Sequence, residues 1–127
     1  MKLSEQEFSN GMPVEAYGPG FFRVKGHIHH GAMIISPTSA MPWGGWDDLE
    51  PIKALAGQVD ILLIGTGADV TPFTPALRAA LDSAGLWADP MATTAALRTY
   101  NVLLAEARRV ALAVLPADTV FPSDEAD

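Results

Sequence analysis

Four apolar residues in a row, Ile61-Leu62-Leu63-Ile64, run directly into Gly65-Thr66-Gly67. Alternate side chains of a strand point to opposite sides of a sheet, so an unbroken apolar run of this length reads as a central strand covered on both faces. The chain must therefore supply two covering layers, and the pattern that follows does so. Thr74 is a good N-cap, Pro75 stands at the favoured first helical position, and Leu77, Leu81 and Ala84 share one face before Gly85 closes the helix. "LWADP" reads as a short strand stopped by Pro90. The longest helix starts at Thr93 or Thr94 and runs to about Arg108, with Leu97, Tyr100, Leu104 and Ala107 as its buried stripe and Leu103 beside it. "VALAVLP", Val110 to Pro116, is another buried strand. Strand, helix, strand, helix, strand at this short spacing predicts crossover connections and a parallel or mixed sheet.

The first half of the chain reads differently. In "FFRVKGHIHHGAMIISP", Phe21, Phe22 and Val24 suit a strand and Lys25-Gly26 a turn; a longer strand from Ile28 to Ser36 is ended by Pro37. "PTSAMPWGGWDDLEPIKALAG" reads as a linker and a short helix. Asp48 caps its first turn, Pro51 is tolerated there, and Gly57 terminates it. The whole is an α/β fold: a compact three-layer domain with a mixed sheet, an N-terminal antiparallel hairpin and C-terminal βαβαβ units. Residues 20–116 form this single domain. Residues 1–19 are a loose arm with one short strand around Val14–Tyr17, and residues 117–127 are an acidic tail.

Composition narrows the function. The chain has no cysteine, which removes disulfides, thiolate catalysis and cysteine-based metal sites. Its net charge of −7, with eight Lys and Arg spread thinly, argues against nucleic acid. The start, "MKLSEQEFSNGMP", has neither a signal-peptide core nor a transit peptide's arginines, and no window approaches the roughly 20 apolar residues of a membrane span. The expected location is the cytoplasm.

The glycine turn poses the main chemical question. Gly65 and Gly67 match the opening of a dinucleotide fingerprint, but Val70 occupies the third glycine position and the helix waits until Thr74-Pro75. No Gly-Lys-Ser/Thr follows, so this is not the phosphate loop of nucleotide hydrolases either. The simpler reading is a sharp turn in which both glycines supply backbone angles closed to larger residues. A second reading stays open: the amides of Gly65, Thr66 and Gly67 hold a small anion at the end of a parallel strand, with Asp69 and Arg78 (and Arg98) nearby. Arg78 and Asp82 equally suit a solvated helix pair. His27 and His29 share a strand face but lack a third ligand, so no metal is assigned. No cofactor is implied, and the serines lack a hydrolase setting. Trp43 and Trp46 either anchor a loop on the core or form an aromatic patch for a partner.

"GHIHHGAMIISP", "LLIGTG" and "TTAALRTYNVLLAEARRVALAVLP", in this order over roughly residues 20–116, together resemble one family. It is the small domain family of largely unknown function that includes the mitochondrial complex I assembly factor, NADH dehydrogenase 1 alpha subcomplex assembly factor 3. The resemblance implies a compact three-layer α/β fold, no established catalytic residues, and a protein-binding role for the mitochondrial relative. The absence of a leader before Met1 fits a bacterial member. Gly65, Thr66 and Gly67 match the family's turn, and Thr99, Tyr100 and Asn101 its helix motif. Asn101 is expected to hydrogen-bond the backbone of the glycine turn.

Two classes follow. The leading one is a non-enzymatic interaction factor, similar in role to a complex I assembly factor, whose partners are respiratory-complex subunits or assembly proteins. The alternative is a small-molecule or anion-binding domain, or an enzyme, built on Gly65–Gly67. Self-association into a homo-oligomer through a sheet edge stays open to either.

Overall fold

The structure, a computed structural model, describes residues 11–121, so the first part of the arm and the tail from 122 onward lie outside the described residues. Val14–Gly18 (β1), Phe21–Val24 (β2) and His27–His30 (β3) form an antiparallel sheet in that order. Lys25 and Gly26 link β2 to β3 with φ of 52° and 78°, the backbone that a two-residue hairpin turn needs. The long second strand expected from Ile28 to Ser36 is in fact two strands. Gly31, at φ 84°, breaks it, and Met33–Ile35 (β4) departs into another sheet.

That second sheet holds Ala40–Pro42 (β5), Ile61–Gly65 (β6), Pro90–Met91 (β7) and Val110–Val114 (β8) in the order β5-β4-β8-β6-β7. β6 runs parallel to β7 and β8, while β4 is antiparallel to β5 and β8, so the sheet is mixed as expected. Two details correct the sequence reading. The supposed linker contains β5, and Pro90 opens β7 rather than stopping a strand. Proline is tolerated there because β7 is an edge strand, where a missing N–H need not break the ladder.

Glu50–Lys53 (α1), Pro75–Ala84 (α2) and Thr93–Ala105 (α3) are the helices, with a 3₁₀ turn at Gly45–Asp47. α2 has the ends its sequence requires: Thr74 Oγ1 accepts from the Leu77 amide at 3.1 Å, and Gly85 takes a left-handed φ of 71°. α1 does not follow expectation. Leu49 is its N-cap, and the Asp48 carboxylate instead accepts the Gly44 amide at 2.9 Å. α3 stops short of Arg108. The amides of Ala107 and Arg108 fold back onto the carbonyls of Leu104 and Leu103, with Ala107 at φ 64°. This left-handed ending turns Ala107 out to solvent. The buried stripe is therefore Thr93, Ala96, Leu97, Tyr100 and Leu104.

Alternation along the central strands builds the three layers. Leu62 and Ile64 of β6, with Ala111 and Ala113 of β8 and Ile34 of β4, face Ile52, Leu55, Leu77, Leu81 and Trp43. Leu63, Val110, Leu112 and Val114 face the other way, onto α3 and onto Val14, Phe22 and Val24 of the first sheet. The register sets Leu62 beside Ala111 and Ile64 beside Ala113, pairing large with small on the α2 face. No helix among the described residues is long and apolar enough to cross a membrane.

Candidate functional site

The glycine turn lies at the carboxyl end of β6, where Gly65 pairs with Met91 of β7 and Val114 of β8. The three amides that follow Gly65 are directed at protein acceptors. Thr66 N–H donates to the Met91 carbonyl at 2.7 Å, Gly67 N–H to Thr93 Oγ1 at 2.8 Å, and Ala68 N–H to the Thr119 carbonyl at 2.8 Å. Side chains complete the joint. Thr66 Oγ1 donates to the Asp69 carbonyl at 2.6 Å and accepts the Thr71 amide at 3.1 Å. The Thr93 hydroxyl donates to the Leu115 carbonyl at 2.8 Å, and the Thr93 amide donates to Gly67 O at 2.8 Å. In a phosphate cradle, by contrast, such amides converge unpartnered on the ligand.

The two glycines serve different needs. Gly67 sits at φ 103° and matches the backbone argument. Gly65 has no such angle; it is required by space, since a Cβ there would lie 2.8 Å from Val114 Cγ1 and 2.9 Å from the Cα of Thr93.

The charged residues drawn to this loop from sequence do not converge. Asp69 is exposed and borders a pocket of about 240 Å³ with Thr66, Thr71, Thr119, Val120 and Phe121. Arg78 lies over the Phe73 ring, 4.9 Å from its centroid, and donates to the Ala88 carbonyl at 3.4 Å rather than pairing with Asp82. Arg98 belongs elsewhere, in a groove between β1 and α3. A cavity of about 580 Å³ between the β4–β5 hairpin and α1 is lined by Ser36, Thr38, Ser39, Asp48 and Glu50 among others. Several of its polar groups are already engaged: Ser36 Oγ accepts the amides of Thr38 and Ser39 at 3.3 and 3.1 Å, and Glu50 pairs with Lys53, outside the lining, at 3.6 Å.

The aromatic residues divide clearly. Trp43 is buried and donates from Nε1 to the Asp48 carbonyl at 2.9 Å. Trp46 rests against Trp43, Phe73 and Phe121, with ring centroids 6.1, 6.1 and 5.9 Å away. Both anchor their loop. Trp87, which the sequence reading left inside a short strand, is 73% exposed. Its signal was the alternation Leu86-Trp87-Ala88, in which the two flanking residues are buried and the indole is turned out.

Tyr100 and Asn101 form a separate clamp. The Tyr100 hydroxyl donates to the Met12 carbonyl at 2.6 Å, and burial pushes its phenol well above the ordinary tyrosine range. Asn101 does not reach the glycine turn. Its Oδ1 accepts the Val14 amide and its Nδ2 donates to the Val14 carbonyl, each at 2.9 Å, so the carboxamide acts as a neighbouring peptide group for β1. The turn has no need of it, because Thr93 and Thr119 already satisfy that backbone. Asn101→Ala is expected to cost about 1–3 kcal/mol by orphaning both Val14 groups, read as a lowered chemical-denaturation midpoint. An unchanged midpoint would contradict this role.

Comparison with known proteins gives a consistent result. The family described as "Protein of unknown function (DUF498/DUF598)" matches residues 14–115. An uncharacterized protein of Rhodobacter capsulatus is 48% identical over 123 residues, covering 97% of this chain and 99% of that one. NADH dehydrogenase [ubiquinone] 1 alpha subcomplex assembly factor 3 of Danio rerio is 26% identical over 123 residues, covering 91% of this chain and 71% of that one. Among solved structures, a chain described as an outer membrane protein from Bartonella henselae superposes with a TM-score of 0.76 at 34% identity, covering 87% of this chain and 98% of that one.

Proposed function

We propose, for a chain that belongs to the DUF498/DUF598 family of proteins of unknown function, a non-enzymatic role as a protein-interaction factor. The role is akin to that of a respiratory complex I assembly factor, acts in the cytoplasm, and takes as partners respiratory-complex subunits or other assembly proteins. Two observations support this reading. Relatives whose name states that assembly role align with more than nine-tenths of this chain. The observation that carries it is Trp87, which stands 73% exposed while the other two tryptophans are packed inward. An indole left in water is costly apolar surface, and tryptophan dominates the energetics of protein interfaces.

The test is affinity capture from the native host with wild-type protein and with Trp87→Ser. The substitution removes no internal contact that the fold depends on, so stability should move by no more than about 0.5 kcal/mol. Respiratory-complex subunits or their assembly proteins should be captured by the wild type and lost, or weakened about 30-fold, in the variant. Equal capture by both would overturn the assignment of Trp87. Trp43 and Trp46 are unsuitable for this purpose, since truncating either disturbs the core loop.

A further inference from the structure

Beside the clamp that Asn101 makes on Val14, a groove of about 380 Å³ lies between β1 and α3. Thr94, Arg98 and Asn101 stand at i, i+4 and i+7, so one flank of α3 brings all three to it. From β1 come Glu15 and Tyr17. Val14 and Leu97, both buried, supply its apolar surface.

The charged and amide acceptors of this groove are engaged, and its donors are free. Asn101 Oδ1 accepts the Val14 amide at 2.9 Å. Glu15 Oε1 accepts Arg23 Nε and the Gly26 amide, each at 3.1 Å, so the Glu15 charge is matched by Arg23. Arg98, by contrast, is exposed and has no ion pair or hydrogen bond among the described residues. The hydroxyls of Thr94 and Tyr17 are equally without a protein partner there. Asn101 Nδ2 donates one proton to the Val14 carbonyl and keeps a second N–H. What remains is one unmatched guanidinium flanked by groups able to donate.

We infer that the groove between β1 and α3 binds a small organic carboxylate. The planar carboxylate pairs with the Arg98 guanidinium through two parallel N–H···O bonds, and the Thr94 and Tyr17 hydroxyls donate to its remaining lone pairs. A short hydrocarbon body lies against Val14 and Leu97. One unmatched cation balances one carboxylate, whereas a phosphate at neutral pH keeps nearly a second negative charge unmatched. Occupancy of this groove does not depend on the interaction role proposed above or on Trp87.

The test is an NMR titration of the full chain with hexanoate, hexylamine and inorganic phosphate as probes, at about 0.15 M salt to screen the acidic chain's field. Hexanoate should shift the Thr94 and Arg98 amides and the Asn101 carboxamide saturably, and bind at least about tenfold more tightly than either other probe. Arg98→Gln should weaken hexanoate about tenfold or more, and Arg98→Lys, which keeps the charge but not the fork, should lose less. Arg98 is exposed, so neither variant disturbs the core. Should one prove unstable, the three probes on the wild-type chain still decide. Absence of saturable shifts at these groups, hexylamine or phosphate binding as tightly as hexanoate, or unchanged affinity in Arg98→Gln would overturn the inference. Trp87→Ser should leave hexanoate binding unaltered, so this titration and the capture experiment succeed or fail separately.

Discussion

Thr93→Val is expected to destabilise the domain by about 2–5 kcal/mol, because it orphans two buried backbone groups at one stroke. The side chain is fully buried, and its single hydroxyl both accepts the Gly67 amide and donates to the Leu115 carbonyl, at 2.8 Å each. Valine preserves the shape and the β-branched carbon but offers neither partner. The joint it would break ties β6, α3 and the end of β8 together. Thr93→Ser keeps the hydroxyl and should recover most of the loss, leaving only the smaller cost of a missing methyl group. Chemical denaturation of the three proteins checks this; valine and serine variants of equal stability would contradict it.

Gly67→Ala is the second large effect. The φ of 103° strains any residue with a Cβ, and that Cβ would lie 2.6 Å from the Thr119 carbonyl oxygen. The clash is with backbone, and with the very carbonyl that accepts the Ala68 amide. Strain and the displaced strap should together cost about 3–5 kcal/mol, a large share of a typical domain's stability. Gly85→Ala is the control. Gly85 also has a left-handed φ, 71°, but nothing lies within 4 Å of its Cβ position, so about 1 kcal/mol is expected. Similar losses at both positions would mean that the approach of Thr119 to the turn contributes nothing.

Much of the architecture was legible because it rests on local rules. Ile61–Ile64 and Val110–Val114 declare their two-sided burial by composition, and Thr74, Pro75 and Gly85 mark α2 by capping chemistry. What escaped depends on contacts distant in sequence. β5 exists because Ala40–Pro42 lies against β4, and nothing within "AMP" announces a strand. Asp48 looked like a helix cap, but the nearby Gly44 amide took its carboxylate. Asn101 was identified as a polar residue with backbone to satisfy, and its partner lies 87 residues away in β1 rather than at the turn. The candidate surface was partly hidden for the same reason. Trp87 had one local cue, the alternation Leu86-Trp87-Ala88, whereas the burial of Trp43 and the packing of Phe73 and Phe121 against Trp46 rest on contacts distant in sequence.

The amides of Thr66, Gly67 and Ala68 are engaged within the fold, and the proposed function therefore places recognition on the outer surface. Amide hydrogen exchange at Thr66, Gly67 and Ala68, with and without added inorganic phosphate, tests it most directly. Slow exchange is expected at all three, close to the protection of the central strand β6 and unaltered by phosphate. Fast exchange that slows when phosphate is added would contradict it and return the loop to the role of an anion site.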